Sequence, residues 1–260
     1  MSKKTPAEMP FLDHLEELRV RLFWALGALV LCMLTAFAIV WQYDVIGLLA
    51  QPILPFLPSG KLVYTHPMDP MAIVLKVSFG LGLVAASPVI VYHVWAFLSP
   101  ALHPHEKKVV VPVLMGSTLL FVAGVYLCVQ FVLPAMFGVL LSFQSNTLEQ
   151  MISAADYFGF AVTLCLAFGG SFQLPIVILA LSALGLVNPR LLAKFRRHAL
   201  VGSFLLGAII TPGDLIIVTL MLGVPLYGLY EVSIVLSWFV ERSRKKRERL
   251  AQNSIGGETA

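Results

Sequence analysis

Charge is what this sequence has least of. Of its 260 residues only 12% are Asp, Glu, Lys or Arg, while 58% are apolar, and the mean hydropathy is +0.87. A soluble domain carries about 25% charged and about 45–50% apolar residues. The chain cannot cover a globular surface, and a soluble enzyme is excluded. Cysteine is scarce as well. Cys32, Cys128 and Cys165 all fall inside apolar runs. They are too few and too far apart in sequence for a disulfide scaffold or a CxxC site, and they read as small packing residues. There is no P-loop, because Gly60-Lys61 lacks the upstream glycine spacing and the following Ser or Thr. GxSxG and HExxH are absent. His103, His105 and Glu106 cluster, but a third strong ligand at regular spacing is missing, so no metal site is expected. No cofactor is implied, and nothing supports catalysis.

What the chain has instead is long apolar runs. Leu22–Trp41 carries no charge, Met71–Leu98 is broken only by Lys76, and Val109–Phe143 and Tyr157–Val187 are clean. Each meets the roughly 20 residues that a bilayer asks of a helix. Two shorter runs, Ala199–Thr211 and Leu215–Tyr230, are separated by Pro212-Gly213-Asp214. The runs lack the alternation of a membrane β-barrel, and backbone groups in lipid must be paired internally, so they are read as helices. Glu8, Asp13, Glu16 and Glu17 precede the first run, which is longer than a signal-peptide core, so that helix is expected to be retained.

The sparse charge is unevenly placed. Sixteen of the eighteen basic residues lie before the first run, at Lys107-Lys108, at Arg190–Arg197, or at Arg242–Arg249. The positive-inside rule then puts both termini in the cytoplasm. The Arg242–Arg249 run reads as an inner-leaflet anchor, and no nucleic-acid partner is expected. The expected division is a cytoplasmic amphipathic lead-in over residues 1–21, a transmembrane domain over 22–240, and a disordered basic tail over 241–260. Ala199–Ile210 gives roughly 18 Å of helix against about 30 Å of hydrocarbon. Charge parity leaves open whether the last pair crosses or forms a re-entrant hairpin. Thr211-Pro212-Gly213-Asp214 reads as a tight turn, with Asp214 capping the next helix.

Pro88, Pro112, Pro134, Pro175 and Pro225 lie in or at the ends of helices and predict kinks. The proline-rich stretch from Gln42 to Pro70 predicts short amphipathic pieces capping the outer interface. Phe11, Leu15, Leu18 and Leu22 form one stripe of an amphipathic helix, with Glu17 and Arg21 an i,i+4 pair on its flank. Two polar features remain, the loop from Phe97 to Lys108 with Glu106 as its lone acid, and Gln173 in the fourth run. Spacing alone explains the first as charge balance and the second as a helix–helix hydrogen bond.

Four segments, in order, resemble the TatC family, the multispan receptor subunit of the twin-arginine protein translocase. They are His14-Leu15-Glu16-Glu17-Leu18-Arg19-Val20-Arg21-Leu22; Ser87-Pro88-Val89-Ile90 with Val94-Trp95-Ala96-Phe97 and Pro100-Ala101-Leu102; Ala167-Phe168-Gly169-Gly170-Ser171-Phe172-Gln173-Leu174-Pro175; and Leu206 to Asp214. The resemblance covers roughly Met9 to Val240. It implies an all-α polytopic fold of six kinked helices in a concave bundle, the last two short and both crossing. It implies recognition of twin-arginine signal peptides on folded cargo in the bacterial inner membrane, dependence on the proton-motive force, and an oligomeric complex with single-span TatA-type and TatB-type subunits and lipid. By the same resemblance Glu17, Arg19, Phe97, Pro100, Leu102 and Glu106 bind the signal peptide. Gln173 stands where many members carry glutamate, so a polar docking role for a partner helix, shared with Thr211, is what the resemblance leaves there. Pro212, Gly213 and Asp214 form the turn.

A secondary transporter for a small solute is the alternative reading, and it calls for paired polar groups at mid-membrane. An intramembrane protease needs a Ser–His pair or paired Asp within spans, and His93 has no such partner motif.

Overall fold

In a computed structural model, residues 11–57, 60–98, 107–142, 151–183, 185, 187–210 and 216–256 are described. These residues are almost wholly helical. Five helical stretches are long and apolar enough to cross a membrane: His14–Gln42, Asp69–Phe97, Leu114–Ser142, Ala154–Ser182 and Thr219–Arg242. A further helix, Pro189–Ile210, carries a shorter apolar half from Ala199 to Ile210. The chain divides into two compact units, Met1–Gly169 and Gly170–Ala260.

The first unit opens with α1 (Phe11–Gln42), in which the lead-in and the first apolar run are one continuous helix. No Gly or Pro interrupts Phe11–Ala25, so nothing in the backbone stops the helix at the water–lipid boundary. The stripe residues Leu15, Leu18 and Leu22 are exposed, as an interfacial face demands. After α2 (Val45–Ala50) comes a 3-10 turn at Leu54–Phe56, the short pieces expected of the proline-rich stretch. Asp44 caps α2 by accepting from the Gly47 N–H at 2.9 Å. The connecting backbone is tied down elsewhere. Val63 pairs with the segment around Ile152 through Val63 N–H to Ile152 O at 3.1 Å and Ala154 N–H to Val63 O at 2.8 Å. The Tyr157 hydroxyl donates to Leu49 O at 2.8 Å.

Helix α3 (Asp69–Leu98) begins on a buried carboxylate. Asp69 Oδ2 accepts from the Thr65 N–H at 2.9 Å, the His66 N–H at 2.8 Å and the Thr65 hydroxyl at 3.1 Å, which fixes the chain's entry into the helix. α1 and α3 pack on each other through Gly82. A Cβ there would stand 2.7 Å from Met33 Cα, so only glycine lets the two backbones approach this closely.

The prolines take three local arrangements. Pro88 and Pro225 are carried inside helices. Before Pro134, between α4 (Lys107–Leu127) and α5 (Leu133–Ser142), the helix widens into a π turn at Cys128–Val132, with Leu133 N–H bonded to Cys128 O. The wider turn relieves the clash between the Pro134 ring and the carbonyl four residues back. Before Pro175 the helix breaks outright. α6 (Ala154–Ser171) ends, two turn residues follow, and α7 (Leu174–Ala183) starts with Pro175 at its second position, where no N–H is needed. The three cysteines are free thiols, but Cys128 on the π turn and Cys165 on α6 are hydrogen-bond partners, so residues distant in sequence are adjacent in space.

The second unit holds α7, α8 (Pro189–Ile210) and α9 (Ile216–Gly256). α8 and α9 form an antiparallel pair with glycines at its closest approach. A Cβ on Gly207 would meet Thr219 O at 3.2 Å, and one on Gly223 would meet Phe204 Cδ1 at 2.5 Å. Ile178, Leu192 and Ile234 form a small core joined by Val187 and Tyr230. Both helices are longer than their apolar runs. α8 starts within the basic segment, and α9 continues through Arg242–Arg249 to Gly256, where the sequence reading expected a disordered tail. The reason is local: between Glu231 and Ile255 there is no Gly or Pro, and Lys, Arg and Glu are strong helix formers.

Candidate functional site

The amphipathic end of α1 and the C-terminal end of α3 meet at two aromatic rings. His14 stacks on Phe97 with centroids 4.3 Å apart and planes 12° from parallel. One turn along α1, Glu17 accepts from Arg21 Nε at 3.0 Å, and Arg21 Nη2 also contacts the same Oε1. The i,i+4 spacing dictates this pair. The other carboxylate oxygen behaves differently. Glu17 Oε2 lies 3.5 Å from His14 Nδ1, is shielded from solvent and makes no hydrogen bond among the described residues. An acceptor atom on a carboxylate is rarely left in that state. Arg19 points elsewhere, its guanidinium 5.7 Å from the Phe23 ring centroid.

The structure thus brings Glu17 and Phe97 together, with His14 as the link. His14 stood in the sequence motif without a role, and its i,i+3 spacing to Glu17 was the available signal. Arg19 is on the same helix but not in the cluster. Pro100, Leu102 and Glu106, with His103 and His105, lie outside the described residues.

Gln173 is placed otherwise than a mid-helix amide. Its backbone N–H donates to Gly170 O at 3.0 Å and its carbonyl accepts from Val177 N–H at 2.9 Å, so it occupies the turn from which α7 starts. The side chain is half-buried. Thr211, Pro212, Gly213 and Asp214 lie outside the described residues.

One charged group in the last apolar stretch escaped the sequence reading. Glu231 falls within the span Thr219–Arg242, and it pairs with Arg196 of α8, Nη2 to Oε2 at 2.9 Å. Its Oε1 accepts from the Tyr227 hydroxyl at 2.7 Å, and the Tyr230 hydroxyl donates to Leu192 O at 2.8 Å. The tyrosine at i−4 was the signal for a partnered acid. Farther along, the buried hydroxyls of Ser182 and Ser237 lie 2.6 Å apart. That contact and the shared Ile178–Ile234 core make α7 and α9 parallel. Tyr227, Glu231 and Arg196 thus form a polar cluster between α8 and α9.

Comparison with known proteins identifies the family. Residues 13–225 match the family described as "Sec-independent protein translocase protein (TatC)". The chain is 37% identical over 243 residues to the protein of that name from Aquifex aeolicus, covering 93% of this chain and 100% of the relative. It is 35% identical over 240 residues to the one from Escherichia coli K12, covering 92% of each. A solved structure described as "Crystal Structure of Twin Arginine Translocase Receptor- TatC" superposes with a TM-score of 0.79 at 37% identity, covering 88% of this chain and 99% of that one. The chain is a multi-pass membrane protein and belongs to the TatC family, a component of a protein translocase and not an enzyme.

Proposed function

We propose that this chain is the receptor and core subunit of a twin-arginine translocase, binding the arginine pair of a signal peptide at its cytoplasmic face. The observation that carries the reading is the Glu17 carboxylate. One oxygen is satisfied by Arg21, while the other is held against His14 with no hydrogen bond among the described residues, on a helix end anchored to α3 by the His14–Phe97 stack. A guanidinium displacing the His14 edge would supply the missing donor in a charge-assisted bond. Two adjacent arginines call for a second acid, and Glu106, on the segment that follows Phe97, is assigned that part. Pro100 and Leu102 belong to the same surface, and Arg19 is the neighbouring cation that sets its charge balance. Family membership supports each assignment.

In this reading both termini are cytoplasmic and the membrane is the bacterial inner membrane. The asymmetry of sixteen in eighteen basic residues supports that orientation. The partners are single-span TatA-type and TatB-type subunits in an oligomeric complex. Gln173, with Thr211, docks a partner helix by hydrogen bonding in lipid, and Pro212, Gly213 and Asp214 form the turn exposed on the far side. A twin-arginine peptide bearing a photo-crosslinker beside its arginines tests the reading. Crosslinks to the His14–Arg21 segment and to the Phe97–Glu106 segment are expected. Crosslinks confined to α8 and α9, or uptake of a small solute by vesicles without peptide binding, would refute it.

A further inference from the structure

Lys76 is the only basic residue well inside the apolar runs, on α3 between the exposed Leu75 and Phe79. It is itself exposed, and its ammonium occupies the space over Gly159 of α6, where a Cβ would come within 3.2 Å of Nζ. One turn further along both helices, Gly80 and Val162 make the next close approach, with a Cβ on Gly80 2.9 Å from Val162 Cγ1. Gly80 and Val162 in turn line a cavity of about 60 Å³, together with Val77, Val84, Val125 and Val129, and no charged side chain lines it. The ammonium therefore stands one helical turn from a cavity that offers only apolar contacts. Among the described residues the ion pairs are His14–Glu17, Arg21–Glu17 and Arg196–Glu231, so none engages Lys76.

These facts select one kind of occupant. The cavity exceeds the ~10–15 Å³ that a water needs but offers no polar partners to hold one, so an apolar chain suits it. Lys76 lies seven residues into α3, roughly 10 Å from its start. Its flexible stem can carry the charge toward the interface, where an anionic group would meet it. A molecule with an acyl chain and a phosphate matches both halves. We propose that the crevice between α3, the π turn and α6 binds one phospholipid, its phosphate on Lys76 Nζ and an acyl chain in the cavity. The orientation proposed above decides only that the lipid comes from the leaflet opposite the termini, and the site does not depend on signal recognition.

The test uses the full chain in bilayer nanodiscs with a trace of phosphatidylglycerol carrying a diazirine on its acyl chain. Labelling is expected at Cys128–Val132 and around Val162. Unlabelled phosphatidylglycerol should compete about ten times better than a diacylglycerol with the same chains, the difference one charge-assisted hydrogen bond makes. Lys76→Met should cut labelling by about the same factor and Lys76→Arg should restore it. Should Lys76→Met fail to fold, the competition on the unmodified protein decides alone. Equal competition by diacylglycerol would overturn the site. So would a loss of label in Asp156→Asn equal to that in Lys76→Met, because Lys76 would then be serving the carboxylate on the same face of α6.

Discussion

Arg196, in the basic segment of α8, and Glu231, within the last span on α9, form an ion pair at 2.9 Å. Arg196 gives Glu231 a counter-charge inside its span, and the Tyr227 hydroxyl donates to the other carboxylate oxygen. Both side chains are partly exposed, so the pair falls between a surface bridge, worth about 0–1 kcal/mol, and a buried one, whose breaking costs about 3–5 kcal/mol.

Glu231→Gln should therefore destabilise the α8–α9 pair by about 1–2 kcal/mol. Thermal unfolding in detergent reads this. Arg196→Gln combined with Glu231→Gln should cost less than the two single changes added, because neither charge is then left alone. Strict additivity would mean that the two groups do not interact in the folded protein.

Gly82→Ala should loosen the packing of α1 on α3, at about 1–3 kcal/mol, the usual cost of forcing extra volume into a packed interface. The nearest atoms are Met33 backbone and cannot swing aside. Gly27→Ala, where an added Cβ would meet nothing within 4 Å, is the matched control and should leave unfolding unchanged. Equal melting temperatures for the two variants would place α1 farther from α3 than described.

Gln173→Leu should weaken crosslinks between the second unit and a partner's single helix while leaving peptide binding intact. A membrane hydrogen bond averages about 0.6 kcal/mol, so a loss of roughly two- to threefold is expected. Because Gln173 sits at the break that starts α7, Gln173→Asn, which keeps the amide, separates docking from helix geometry. Loss of crosslinking in both variants would point to the turn rather than the amide.

How much of this was legible in the sequence depended on the physics involved. Span positions were, since a hydrocarbon slab demands apolar length whatever the packing, and the Glu17–Arg21 pair was, since helical spacing fixes it. The π turn before Pro134 and the break before Pro175 were foreshadowed by the prolines, but which distortion each would cause depends on neighbouring helices. The Glu231–Arg196 pair was missed because its members are 35 positions apart and each looked like the edge of its own segment. The Cys128–Cys165 and His14–Phe97 contacts were hidden for the same reason: long-range adjacency is a property of packing. The helical tail, by contrast, was available from local propensity.

The central claim is that Glu17 reads the signal's arginine pair, with Glu106 as its counterpart. Four affinities test it most directly: a twin-arginine and a twin-lysine peptide, each against the unmodified protein and against Glu17→Gln. Losing the carboxylate should weaken the arginine peptide by about 1–3 kcal/mol, or roughly five- to 150-fold. The lysine peptide should bind the unmodified protein less well, because an ammonium cannot make the guanidinium fork, and should lose little more when Glu17 is changed. Glu106→Gln should behave in the same way. If the losses from the two changes simply add, the acid and the arginines do not meet, and Glu17 is no more than the partner of Arg21.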